Sequence, residues 1–202
     1  MSIDDNTKLE VLHDHYKESF WHIREREKQR DRLFMFLIAL IGVLFLEIQY
    51  SDIFSVVLGN VKFKFIELDI SMMPISIFLS VTWTYLFVLV LKYCQSAIFV
   101  ERQYDYLHSL ENQISKFFED QSIYCREGKG YLNKYPLFSN LVWIFYTLLF
   151  PIIIILSTGL ILYLEKYKTE QPLYHLIYDS ILTIGIIMSL ILYRFSPMAR
   201  SY

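Results

Sequence analysis

Residues 22–48 read HIREREKQRDRLFMFLIALIGVLFLEI, and one peptide bond within them decides the fold. Eight of the nine residues at 24–32 are charged, whereas the fourteen residues at 33–46 carry no charge. No glycine or proline lies between positions 7 and 32, so this stretch is predicted as a helix, with Asn6 or Thr7 as its cap. The same helix continues into the uncharged stretch without a breaker. A charged run that gives way at once to bare hydrocarbon predicts passage from water into a membrane.

The rest of the chain repeats that segregation. Of its 202 residues 54% are hydrophobic and 17% aromatic, while the 20% that are charged leave long windows nearly empty. A soluble core does not require such windows and a bilayer does. The net charge of −2 provides no basic field, so direct nucleic-acid binding is not expected.

The expected fold is all-α, with four transmembrane helices at 33–50, 74–98, 137–164 and 174–194. Spans one and two extend into the cytoplasm as long helices. Lys and Arg concentrate in 1–32, in 99–136 and in the tail 195–202 with the adjoining Arg194. Segments 51–73 and 165–173 hold only Lys62, Lys64, Lys166 and Lys168. The positive-inside bias therefore predicts both termini and the 99–136 segment in the cytoplasm. Tyr50, Tyr163, Tyr167, Tyr174 and Tyr193 fall near span ends, where an amphipathic ring sits well. Span one has a long charged region before it and no A-x-A site after it, so it is predicted as a retained helix. Cys94 and Cys125 fall on the predicted cytoplasmic side and are expected as thiols.

Outside the spans, Leu9, Leu12, Tyr16, Phe20 and Ile23 recur at three- and four-residue steps. Val100, Leu107 and Ile114 repeat every seven residues, with Leu110 and Phe117 at the d-type offset. The two stripes are expected to pack on each other, on neighbouring subunits or on a cytoplasmic protein partner. Residues 126–136 are expected as a loop, and alternation at 61–65 predicts a short hairpin or interfacial strand.

The candidate functional residues are polar groups inside apolar spans. Asp179 lies about one turn inside span four, roughly 6 Å at 1.5 Å per residue. Glu47 lies at the outer end of span one, where its simplest reading is an interfacial residue. With Ser80, Thr82 and Thr84 these carboxylates are the predicted pore lining, since intramembrane acids usually face water or a partner. Pro151 in span three frees the Thr147 carbonyl and is the predicted hinge. Thr158, Gly159 and Gly185 would allow close helix approach. His13, His15 and His22 are expected to face solvent. No phosphate loop, nucleophile elbow, HExxH, CxxC pair or EF-hand is present, so no enzyme activity, cofactor or metal is expected.

Two stretches, RDRLFMFLIALIG and IFVERQYDYLHSLENQI, carry a resemblance at the level of layout. In them the chain resembles small multi-span inner-membrane proteins of bacterial anti-phage defence, of the retron, Kiwa-like and nucleotide-signalling effector type. The resemblance implies a homo-oligomer, taken first as a tetramer, a cytoplasmic partner or ligand, and membrane disruption or signalling. It identifies no catalytic residue. The expected function is a regulated pore or membrane-perturbing effector, and the alternative is a non-conducting sensor or scaffold. A transporter subunit is disfavoured because the four spans show no inverted repeat and no pair of broken helices.

Overall fold

The computed structural model describes residues 4–59, 74–118, 141, 144–169 and 172–195. Among these the chain is helical, with no strand. The predicted hairpin at 61–65, the loop at 126–136, the start of span three, the tail and Cys125 lie outside the described residues.

Helix α1 is Asp5–Gln49 and contains 45 residues. It begins with an acid in its first turn, where the helix dipole favours negative charge. Ion pairs Lys8–Asp5, Arg24–Glu27 and Lys28–Glu25, each three residues apart, support its charged half. The short helix α2, Ser51–Gly59, follows almost at once. The Tyr50 and Phe54 amides donate to the carbonyls of Leu46 and Tyr50, so the backbone ladder barely pauses. The segment expected as loop from 51 onward therefore opens as helix. Helix α3 is Ile75–Ser115, 41 residues without a break.

The third apolar segment begins with a five-residue π-helical turn, Phe145–Leu149, which feeds helix α4, Phe150–Lys168. Pro151 sits in the first turn of α4. Proline has no N–H and its ring crowds the carbonyl four residues back, so it is best tolerated at a helix start. The wider π turn immediately upstream is where the ladder absorbs that disruption. Helix α4 also runs beyond 164, the predicted end of span three. Lys166 and Lys168 stand in its last turn, where cations complement the dipole. Helix α5 is Leu173–Phe195, and its first turn is closed by the His175 amide donating to the Pro172 carbonyl.

Three helical segments are long and apolar enough to cross a membrane: Ile75–Ser115, Phe145–Lys168 and Leu173–Phe195. The chain divides into two compact units. The first comprises Met1–Arg32, Gln95–Thr147 and Ser196–Tyr202, and the second Leu33–Cys94 and Leu148–Phe195. One division falls at the peptide bond after Arg32, where the charged run ends.

In the first unit, Ile23, Val100 and Leu107 are fully covered and form a small core, packed by Tyr16, Phe20 and Tyr104. Leu110 and Ile114 are buried as well. These stripe residues are thus covered within the chain and do not form an open contact surface. Leu9 and Leu12 are half-buried, and Phe117 remains exposed. Two long-range hydrogen bonds lock the register: Tyr16 donates to Glu111 Oε1 at 3.1 Å, and Tyr104 donates to Glu27 Oε1 at 2.9 Å. The Arg26 guanidinium stacks 4.9 Å from the Phe99 ring centre, and Arg30 stacks on Tyr146.

In the second unit the buried stripes of α4 and α5 follow helical steps: Phe150, Ile154, Thr158, Ile161 and Glu165 on one, Asp179, Thr183, Ile186, Leu190 and Tyr193 on the other. Phe150 is clasped by Phe34 and Tyr93, with ring centres 4.5 and 5.2 Å away. The outward faces are apolar: Phe36, Leu156, Ile181, Ile184 and Leu192 are each at least 60% exposed. Such a surface suits lipid rather than water. Gly185 permits the close approach expected of it, since a Cβ there would meet Phe87 Cε2 at 2.9 Å. Gly159 does not, because nothing lies within 4 Å of a Cβ at that position.

Candidate functional site: a buried carboxylate cluster

Helices α1, α3, α4 and α5 contribute polar side chains to the interior of the second unit. Helix α3 supplies Ser76, Ser80, Thr82, Trp83 and Thr84 within three turns. Its Trp83 is completely buried and Ser80 nearly so. Threonines and serines survive inside an apolar helix by bonding back to the preceding turn. Thr82 does so to the Phe78 carbonyl at 3.0 Å, and Thr84 to the Ser80 carbonyl at 2.7 Å. What remains of their hydrogen-bonding capacity is turned to the other helices.

Three carboxylates on three helices receive it. Glu47 of α1 is 4% exposed, and Glu165 of α4 and Asp179 of α5 are both 0% exposed. Thr82 donates to Glu47 Oε1 at 3.1 Å. Ser80 donates to Asp179 Oδ2 at 3.2 Å. The Trp83 indole donates to Glu165 Oε2 at 3.0 Å. On α5, His175 Nδ1 lies 3.0 Å from Ser80 Oγ, and Tyr178 OH lies 2.9 Å from Thr84 Oγ1. The carboxyl of Glu165 is within hydrogen-bonding reach of Asp179 and acts electrostatically on Glu47. Nearby, Lys168 donates to Gln49.

Of the residues singled out from the sequence, Thr82 with Glu47 and Ser80 with Asp179 are therefore paired hydroxyl to carboxylate, whereas Thr84 meets the hydroxyl of the exposed Tyr178 instead of an acid. Glu47 is covered and hydrogen-bonded, not simply interfacial. Sequence reasoning missed Glu165, Trp83, His175 and Tyr178. Glu165 had been assigned to a loop beside two lysines. The signal that finds it is spacing, because it continues the three-and-four-residue stripe through Ile154, Thr158 and Ile161.

Glu47 Oε2 and Asp179 Oδ1 are buried and accept no hydrogen bond among the described residues. Buried carboxylate oxygens are costly to leave bare, so this is an uncommon arrangement. No group of three or more His, Cys, Asp or Glu side chains among the described residues has the geometry to hold a metal ion. His15 and His22 are exposed, as expected, whereas His13 is half-buried. Cys94 is a buried free thiol with 6% exposure. Comparison of the chain with known protein families, curated proteins and solved structures found no match.

Proposed function

We propose that the chain is a multi-pass membrane effector in which a cation path runs past the Glu47–Glu165–Asp179 cluster and is gated through the helices of the first unit. The single observation that carries this reading is the placement of three buried carboxylates, from three helices, inside a unit whose outer faces are apolar. Intramembrane acids are expensive and mark ion pathways or relays. In this reading the uncharged part of α1 is a fourth span, both termini are cytoplasmic and the membrane is a bacterial inner membrane. The described conformation is the closed one, since every carboxylate is covered.

Gating follows from helix continuity. Helices α1 and α3 each run without a break through residues of both units. A ligand or cytoplasmic protein that alters the Tyr16–Glu111 and Tyr104–Glu27 pairing acts on the helices that carry Glu47 and Ser80. A single chain with so little polar lining does not enclose a wide water-filled path, so conduction calls for a homo-oligomer. The resemblance of two sequence stretches to small anti-phage membrane proteins motivates a defence setting.

The test is membrane potential in bacteria expressing the chain, alone and together with its neighbouring genes. Depolarisation with growth arrest, abolished by combined Glu47→Ala and Asp179→Ala, is expected. Unchanged depolarisation in that variant, or intact potential in every combination, overturns the reading.

One observation favours the alternative, a non-conducting scaffold. An open groove in the first unit is lined by Val11, Leu12 and Phe117 together with Asp5, Lys8 and Lys116. Intact potential together with a partner lost on Leu12→Asp would favour recruitment over conduction.

A further inference from the structure

The hydrogen bonds around Asp179 form a chain with a direction. His175 is half-buried, Ser80 is 9% exposed and Asp179 is 0% exposed. The three are linked at 3.0 and 3.2 Å through one hydroxyl. Beyond Asp179 lies the fully buried Glu165, itself held by the Trp83 indole at 3.0 Å. A serine hydroxyl both accepts and donates, so it relays a proton between a nitrogen and a carboxylate.

At the far end of this chain two acids face each other. Two ionised carboxyl groups within hydrogen-bonding reach have only acceptors to offer each other. Among the described residues no donor reaches the buried Asp179 Oδ1 or Glu47 Oε2. One hydrogen placed between Asp179 and Glu165 turns an unfavourable contact into a bond. A metal ion is a poorer fit, because the described acids and imidazoles do not converge in threes around any point. The occupant that needs no coordination shell is the proton.

We infer that Asp179 and Glu165 form a proton-binding site, loaded and emptied through His175 and Ser80. In loading, the His175 Nδ1–H bond breaks as Ser80 Oγ accepts that proton. The original Ser80 O–H bond breaks in concert as Asp179 Oδ2 accepts its hydrogen. The imidazolium becomes neutral imidazole and the carboxylate becomes a carboxylic acid, so charge and atoms balance. Among the described residues, the groups that face the pair include Ser80 and Trp83 from α3, His175 from α5 through Ser80, and Glu47 from α1 through Glu165. Among the described residues no lysine or arginine forms an ion pair with Asp179 or Glu47.

This inference deepens the proposed cation path by naming the proton as its ion, yet its test needs no conduction. The full chain is reconstituted in liposomes at neutral pH and examined by infrared difference spectroscopy. The carbonyl stretch of a protonated carboxylic acid is expected, and it should disappear in both Asp179→Asn and Glu165→Gln. The exposed change Glu18→Gln should leave it unaltered. Exchange of that acid proton into D2O should slow by about tenfold or more in Ser80→Ala and His175→Phe, the scale of a positioned proton-transfer group. Ser80→Thr, which restores the hydroxyl, should recover the rate. Absence of the band in the unmodified chain overturns the site, as does its persistence in both carboxyl variants. Equal exchange rates across the Ser80 and His175 variants overturn the route. A protonated site in a chain that never depolarises cells would leave this inference standing and remove the conducting function.

Discussion

Trp83 and Glu165 stand 82 residues apart in the chain and meet through a hydrogen bond of 3.0 Å from the indole Nε1 to the carboxylate Oε2. Both side chains are completely buried. This bond fixes the face that α3 presents to α4, because neither group has water to turn to. A buried donor–acceptor pair of this kind specifies rotation about the helix axis as well as contact.

Trp83→Phe keeps most of the ring and removes the donor. Leaving a buried carboxylate short of a donor costs on the order of 1–3 kcal/mol. The expected result is a lower unfolding midpoint for the detergent-solubilised chain. Trp21→Phe, at a 61% exposed position, should change it little.

The glycines of α4 and α5 should respond in opposite directions. Gly159 has open space and ordinary helical backbone, so Gly159→Ala should be neutral or stabilising by up to about 1 kcal/mol. At Gly185 the added methyl meets the Phe87 ring at 2.9 Å, and the forced shift should destabilise by about 1–3 kcal/mol. Unfolding midpoints of the two variants, measured side by side, check the difference.

In the first unit, Ile23→Ala should cost about 2–5 kcal/mol by opening a cavity in a core only a few side chains wide. Tyr16→Phe removes the hydroxyl that donates to the buried Glu111 and should cost about 1.5–3 kcal/mol. Limited proteolysis within 5–32 and 95–118 should accelerate for both, and more for Ile23→Ala.

Glu101, in the charged part of α3, is expected to give the first unit a pH dependence. Burial raises its carboxyl above the ordinary value of 4.5, Asp105 adds to the rise and Arg30 opposes it. The folded state then holds the proton more tightly than the unfolded chain. Its contribution to stability is fully present below pH 4.5 and is lost as the pH rises through the raised value. Unfolding midpoints taken across this range should fall with pH, and Glu101→Gln should flatten the slope.

The segregation of charge from hydrocarbon was legible in the sequence. So were the helical character of 5–49 and 75–115 and the stripes that meet at Ile23, Val100 and Leu107. Polar residues inside apolar windows stand out by composition, which is why Ser80, Thr82 and Asp179 were found. Glu165 did not stand out, because Lys166 and Lys168 beside it gave the segment the look of a loop. The helix instead continues through them, with both lysines set against its C-terminal dipole. Trp83 does not stand out in an apolar window, because it differs from its neighbours only in the indole N–H that it gives to the cluster.

What the sequence determined by itself is additive along the chain: which segments avoid water, and which residues recur on one helix face. Transfer free energy and backbone geometry are local properties, so each window can be judged alone. The tertiary structure alone decided the pairings, Thr82 with Glu47, Ser80 with Asp179 and Trp83 with Glu165. Each depends on the rotation and axial offset of two helices at once, and those are set by the packing of all four against one another, a property no single window contains.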